Sequence, residues 1–218
     1  FAGLQVLTTP SPSIGGAIVA RALAVLDAGM GGPPGSAGEA ARLAEALAEG
    51  YRGGGGGARP TGTTHVSVIA ADGSAAGLSS TLGSGSGVFR HGFQLNNMLG
   101  ELDVIGTAAR APGERLPSMM CPTLVSDGER ARLVVGSAGS VRLSGAIAQV
   151  VAGVIGQDLG VGEAIDRPRI HVDDGTAHLE GGWSDDAEAA IRAAGRDVVR
   201  WSGRNLFFGG ASAVERRP

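Results

Sequence analysis

"GTTHVSVIAADG" occupies residues 62 to 73, and its periodicity decides how the rest of the chain is read. From Thr63 the residues alternate, with Thr63, His65 and Ser67 on one side and Thr64, Val66 and Val68 on the other, the repeat of two that a strand imposes. Asp72-Gly73 is a strong hairpin signal because glycine accepts positive φ, so "SAAGLSSTLG" at 74 to 83 returns as the partner strand. A threonine heading a strand is a good β-former. It is also a residue that becomes a nucleophile with its own base if the bond before it is cut.

Upstream lies "GGGGGARPTG", residues 53 to 62, a flexible tract in which Pro60 biases its predecessor toward an extended form. Two helices are predicted before it. "AIVARALAVLDAG" at 17 to 29 gathers Ile18, Leu23, Val25 and Leu26 near one face and stops at Gly29. "GSAGEAARLAEALAEGYR" at 35 to 52 repeats the pattern with Leu43 and Leu47 and ends near Gly50. Downstream, "PTLVSDGERARLVVGSAG" at 122 to 139 predicts a second hairpin turned at Asp127-Gly128. Residues 140 to 158, "SVRLSGAIAQVVAGVIGQD", read as one buried helix. A short helix near 161 to 166, an extended pair over 169 to 180, a helix at 184 to 195 N-capped by Ser184, and strands at 197 to 201 and 206 to 214 complete the chain. Sheets with helices on their faces make a layered α/β domain.

Composition narrows the function. The chain has 218 residues, 43% hydrophobic, enough for one substantial core. A net charge of -3 with no cationic cluster argues against nucleic-acid binding. All 18 basic residues are arginine, which removes Schiff-base chemistry and a lysine-dependent P-loop. Cys121 is the single cysteine, so no internal disulfide forms, and the four histidines have no metal-ligand spacing. Neither a metal nor a cofactor is expected. No apolar run approaches the roughly 20 residues of a membrane span. The expectation is therefore a soluble chain with no membrane partner. "FAGLQVLTTPSPSIGG" carries no basic n-region and reads as starting inside a protein, so beside the expected cytoplasmic location a periplasmic or secreted one stays open.

"TTHVSVIAADG", "STLGSGSG", "FQLNN", "PSMMCPTLV", "VGSAGSVRL" and "FFGGASAV" occur in an order and at spacings that resemble the small subunit of γ-glutamyltransferases, a family of N-terminal nucleophile hydrolases. "PSPSIGGAIVARALAVLD" is similar to the end of that family's large subunit. The resemblance implies an αββα four-layer sandwich. It also implies a division into a large-subunit-like region with a processing linker at 1–62 and a small-subunit-like catalytic region at 63–218. The bond Gly62-Thr63 would be cut autocatalytically, leaving a heterodimer in which Thr63 supplies a hydroxyl nucleophile and an α-amine base of ordinary pKa about 7.7 to 8.0. Thr81 would hold that hydroxyl. Gly139 and Ser140 would give the backbone amides of an oxyanion hole. His65 is expected to orient the strand, and Cys121 to be a small buried hydrophobe.

Departures from the family pattern fall on substrate recognition. Gly83 stands where the family has asparagine, and "NNMLGE" places Met98 and Glu101 where a glutamine and an aspartate hold the substrate's α-amino group. "SMMCPT" places Ser118 and Met119 where consecutive serines bind its α-carboxylate. The resemblance therefore implies an amide hydrolase or acyltransferase with altered specificity for a small-molecule substrate. Its alternatives are a C–C bond hydrolase of antibiotic biosynthesis using the same nucleophile, and a scaffold that has lost catalysis.

Overall fold

The structure is a computed structural model and describes residues 1–52, 63–107 and 111–217; the glycine-rich tract and Gly62 lie outside the described residues. In chain order the elements are β1 (Gln5–Leu7), α1 (Ile14–Asp27), α2 (Ala37–Tyr51), β2 (Thr63–Ile69), β3 (Ala75–Thr81), β4 (Phe89–Arg90), β5 (Phe93–Gln94) and α3 (Leu102–Ile105). They continue with β6 (Thr123–Ser126), β7 (Ala131–Ala138), α4 (Leu143–Val151), α5 (Val161–Asp166), β8 (Ile170–Asp173), β9 (Thr176–Leu179), α6 (Asp185–Ala193), β10 (Asp197–Arg200) and β11 (Gly210–Glu215).

Four strands form an antiparallel sheet in the order β1-β6-β7-β11. The hairpin β2-β3 lies face to face on β7 and β11. On the opposite face of the four-stranded sheet, α4 packs against β7 and α1 against α4. Leu133, Val135, Ile147, Val150 and Ile18 meet in that core. Each such side chain contributes about 1.5–3 kcal/mol on burial. A third sheet, β10-β9-β8, carries α2 and α6. The class is mixed α/β, with two stacked sheets and a helical layer.

The sequence reading of the hairpins holds, and Ser184 caps α6 by accepting from the Ala187 amide at 3.2 Å. Three boundaries differ. The helix expected at 17–29 begins at Ile14, where the amide is bonded to the Ser118 carbonyl at 2.9 Å. The helix expected at 140–158 is not one helix: a 3₁₀ turn, Ser140–Arg142, precedes α4, and a π turn, Ala152–Gly156, follows it and ends the helical run before Gln157. The last strand begins at Gly210 and not at 206, because Leu206–Phe208 is a 3₁₀ turn that Asn205 caps by accepting from the Phe207 amide at 2.9 Å. None of the helices among the described residues is long and apolar enough to cross a membrane.

The inner face of β2 is polar. His65 lies flat on β7, with Nδ1 2.9 Å from Ser79 Oγ and Nε2 2.8 Å from Ser67 Oγ. Only a residue with no Cβ fits beneath it, since a Cβ at Gly136 would stand 2.2 Å from the ring nitrogen. Val66, Val68 and Leu78 instead face outward and are exposed. Gly136→Ala is expected to destabilise the protein by roughly 1–3 kcal/mol, because two serines keep the ring from yielding. Urea unfolding checks this, and unchanged stability would show that His65 moves freely.

Candidate active site

β2 and β3 pair in a register that sets Thr63 opposite Thr81. Both side chains fall on the inner face, and their Oγ1 atoms are 3.1 Å apart. The Gly83 amide donates to the same Thr81 oxygen at 3.1 Å. Stacking of the two sheets places this pair along β7. Gly73 lies against Arg130, Gly77 against Val134, and His65 against Gly136. Thr63, the next inward residue after His65, therefore comes to the end of β7, where Ala138 leads into Gly139.

The turn after β7 is tightly held. Gly139 has φ 131, and a Cβ there would stand 2.7 Å from the Cα of Gly209, so two backbones touch with no side chain between them. Ser140 follows with φ 57, a left-handed conformation that costs a non-glycine residue about 1 kcal/mol or more. Its Oγ is buried without a hydrogen-bond partner among the described residues. The amides at this point head the 3₁₀ turn and α4, where N–H groups are free of intrahelical partners and favour negative charge. Tyr51, at the end of α2, fixes the turn from behind. Its hydroxyl donates to the Val141 carbonyl at 2.8 Å and accepts from the Gly145 amide at 3.1 Å.

Gly83, Met98 and Glu101 come together. A Cβ at Gly83 would stand 2.6 Å from Asn97 Oδ1 and 3.3 Å from Glu101 Oε1, so the carboxamide of Asn97 enters the space left by the missing side chain. Its Nδ2 donates to Ser84 Oγ at 2.7 Å, whereas Oδ1 is buried without a partner. Met98 opens the adjoining 3₁₀ turn and is half-buried. Ser118 and Met119 have other surroundings. The Ser118 carbonyl accepts from Ile14 N at 2.9 Å and Ser13 Oγ at 3.1 Å, and Met119, 5% exposed, packs in the core beneath α1. Cys121 is buried beside Ser144, and burial pushes its thiol up to about 12, so it is no thiolate nucleophile.

The model of the family described as gamma-glutamyltranspeptidase matches residues 40–218. The chain belongs to the γ-glutamyltranspeptidase family. The mouse glutathione hydrolase 5 proenzyme is 33% identical over 167 residues, which cover 70% of this chain and 29% of that protein. The chain thus spans less than a third of that relative's length. A solved structure of the Helicobacter pylori gamma-glutamyltranspeptidase T380A mutant superposes with a TM-score of 0.60 at 26% identity, covering 70% of this chain and 90% of that one. Cephalosporin acylase from Bacillus halodurans shares the fold over 99% of this chain and 48% of its own, with a TM-score of 0.75 at 17% identity. The fold is that of the N-terminal nucleophile hydrolases.

In this γ-glutamyltranspeptidase family member an aromatic cluster adjoins the turn after β7, and the sequence reading did not include it. The Arg142 guanidinium carbon stands 4.3 Å over the Phe207 ring, while Trp201 stacks on Phe207 at 4.7 Å and Tyr51 meets His171 edge-on at 5.1 Å. The "FFGG" motif was the one signal of this cluster in the sequence. Burial, aided by the positive Arg142 and by His178, lowers the His171 pKa to about 3, so its imidazole is neutral in the folded protein. An unfolded chain takes up that proton below about 6.5, so the stability present at neutral pH is lost as pH falls toward 3. We expect His171→Phe to remove roughly 2–3 kcal/mol of the stability difference between pH 7 and pH 4 in urea titrations. An unchanged difference would mean that His171 is charged in the native state.

Proposed function

We propose that this chain carries the nucleophile-bearing part of a γ-glutamyltransferase-like threonine hydrolase or acyltransferase that cleaves an amide bond through an acyl-enzyme on Thr63. The observation that carries this reading is the Thr63–Thr81 hydroxyl contact of 3.1 Å at the end of the sheet stack that leads into Gly139. Cleavage of Gly62-Thr63 frees an α-amine on the residue that holds the hydroxyl. That amine takes the Oγ1 proton as oxygen attacks the substrate carbonyl, and Thr81 holds the attacking oxygen in line. The amides of Gly139 and Ser140 stabilise the tetrahedral oxyanion. Collapse breaks the C–N bond, and the leaving amine departs with the proton. Water or an acceptor amine then attacks the ester, and Thr63 is regenerated.

The exposed apolar face of Val66, Val68 and Leu78 supports a further part of the protein lying over the hairpin, as expected of a processed heterodimer. Intact mass of the full-length protein tests the reading. Two fragments, one beginning at Thr63, support it, whereas a single uncleaved species marks a scaffold without catalysis.

Recognition is altered at Gly83 and Met98, while Glu101 keeps an anionic partner for a cationic group. We expect the processed full-length enzyme to turn over γ-glutamyl p-nitroanilide with kcat/KM below about 10⁴ M⁻¹s⁻¹. Met98→Gln should raise that ratio roughly 5- to 100-fold, the worth of one buried polar group regaining its partner. Met119→Ser, by contrast, should act on stability, because Met119 is a core residue. An efficient wild-type enzyme would show that donor recognition is not altered.

A further inference from the structure

We propose that Arg169 and Glu180 are positioning residues that clamp the turn at 205–209 and thereby hold the oxyanion turn in place; this rests on Gly139 and Ser140 being the oxyanion donors. Both charged side chains are buried, at 8% and 3% exposure. They flank β8 and β9 at the paired ends Ile170 and Leu179. The Glu180 carboxylate accepts from the Arg169 amide at 2.9 Å with one oxygen and from the Asn205 amide at 3.0 Å with the other. The Arg169 guanidinium donates through Nη1 to the Gly209 carbonyl at 3.1 Å and through Nη2 to the Ile165 carbonyl at 2.8 Å. The pair thus grips the first amide and the last carbonyl of one short turn.

That turn meets the oxyanion loop directly. Gly209 abuts Gly139, and a Cβ on Gly209 would stand 2.7 Å from the Ala138 carbonyl oxygen. Phe207, inside the turn, carries the guanidinium of Arg142, which lies on the 3₁₀ turn that Ser140 opens. A displacement of 205–209 therefore has no soft side chain in which to dissipate and passes to the backbone at Gly139. Two buried charges are a poor source of net stability compared with well-packed apolar residues. An apolar pair, however, could not hold an amide and a carbonyl at once.

Glu180→Gln tests the clamp, since the carboxamide offers one acceptor oxygen to two amides and turns an N–H toward the other. Arg169→Lys is the second variant, keeping the charge beside Glu180 while losing the fork to Gly209 and Ile165. Both are made in the full-length protein, and both the self-cleavage time course by intact mass and the turnover of γ-glutamyl p-nitroanilide are followed. The expected result is a kcat lowered roughly 10- to 100-fold, the effect of a displacement near 1 Å, with KM within about threefold of wild type. Self-cleavage should slow in parallel. Wild-type kcat in both folded variants would overturn the clamp, as would a fall in kcat that disappears at temperatures where the variants are fully folded. Gly139→Ala separates this proposal from the reading it rests on. If that protein keeps wild-type kcat, the oxyanion assignment fails and the clamp with it; if its kcat falls while Glu180→Gln is fully active, only the clamp fails.

Discussion

Thr63→Ala is expected to leave the full-length protein uncleaved before residue 63 and to lower turnover by roughly 10⁴-fold or more, the scale on which loss of an activated nucleophile acts. The methyl group left behind has no proton to give and no oxygen to attack with. Folding should survive, because Thr81 Oγ1 keeps the Gly83 amide as a donor at 3.1 Å and β2 keeps its ladder to β3. Loss of a single exchangeable hydrogen bond accounts for about 0.5–1.5 kcal/mol. Thr63→Ser retains the hydroxyl and should retain part of both self-cleavage and turnover. Intact mass and steady-state rates read both effects, and a Thr63→Ala protein that processes itself would remove Thr63 from the mechanism.

Gly139→Ala should lower kcat by roughly 100- to 1,000-fold, the usual consequence of losing one oxyanion donor. The residue has φ 131, which an L side chain rarely adopts, and its new Cβ would lie 2.7 Å from the Gly209 Cα. Neither backbone can yield without moving the amides that follow. KM should change little, since the displaced donors act on charge that develops only in the tetrahedral state. Gly209→Ala, with φ 81 and a Cβ 2.7 Å from the Ala138 carbonyl oxygen, should reproduce much of the loss although Gly209 supplies no donor to the carbonyl. Rates equal to wild type in Gly139→Ala would place the oxyanion donors elsewhere. A large rise in KM at constant kcat would assign the turn to ground-state binding.

The strand at 63–69 was legible because a period of two and an Asp-Gly pair are local signals, sufficient to fix both strands and the turn between them. α6 was legible through Ser184 for the same reason, as was the family through motifs in a fixed order. Tertiary structure decided what each face meets. Alternation told that Thr63, His65 and Ser67 share a face, but not that this polar face turns inward onto Gly136 while Val66 and Val68 turn out. Nothing local marked Met119 as core, nor showed Asn97 entering the space above Gly83. The break at Ser140 was hidden because an apolar run over 140–158 has helical spacing whether or not its first residue is left-handed. Gly139 with Gly209, Arg169 with the Gly209 carbonyl, Glu180 with the Asn205 amide, and Tyr51 with the Val141 carbonyl are contacts between segments far apart in the chain, made largely by backbone atoms or by glycines. Such contacts leave no periodic trace in a sequence. They exist only once the sheets have stacked and brought the strand that carries Thr63 to the end of β7.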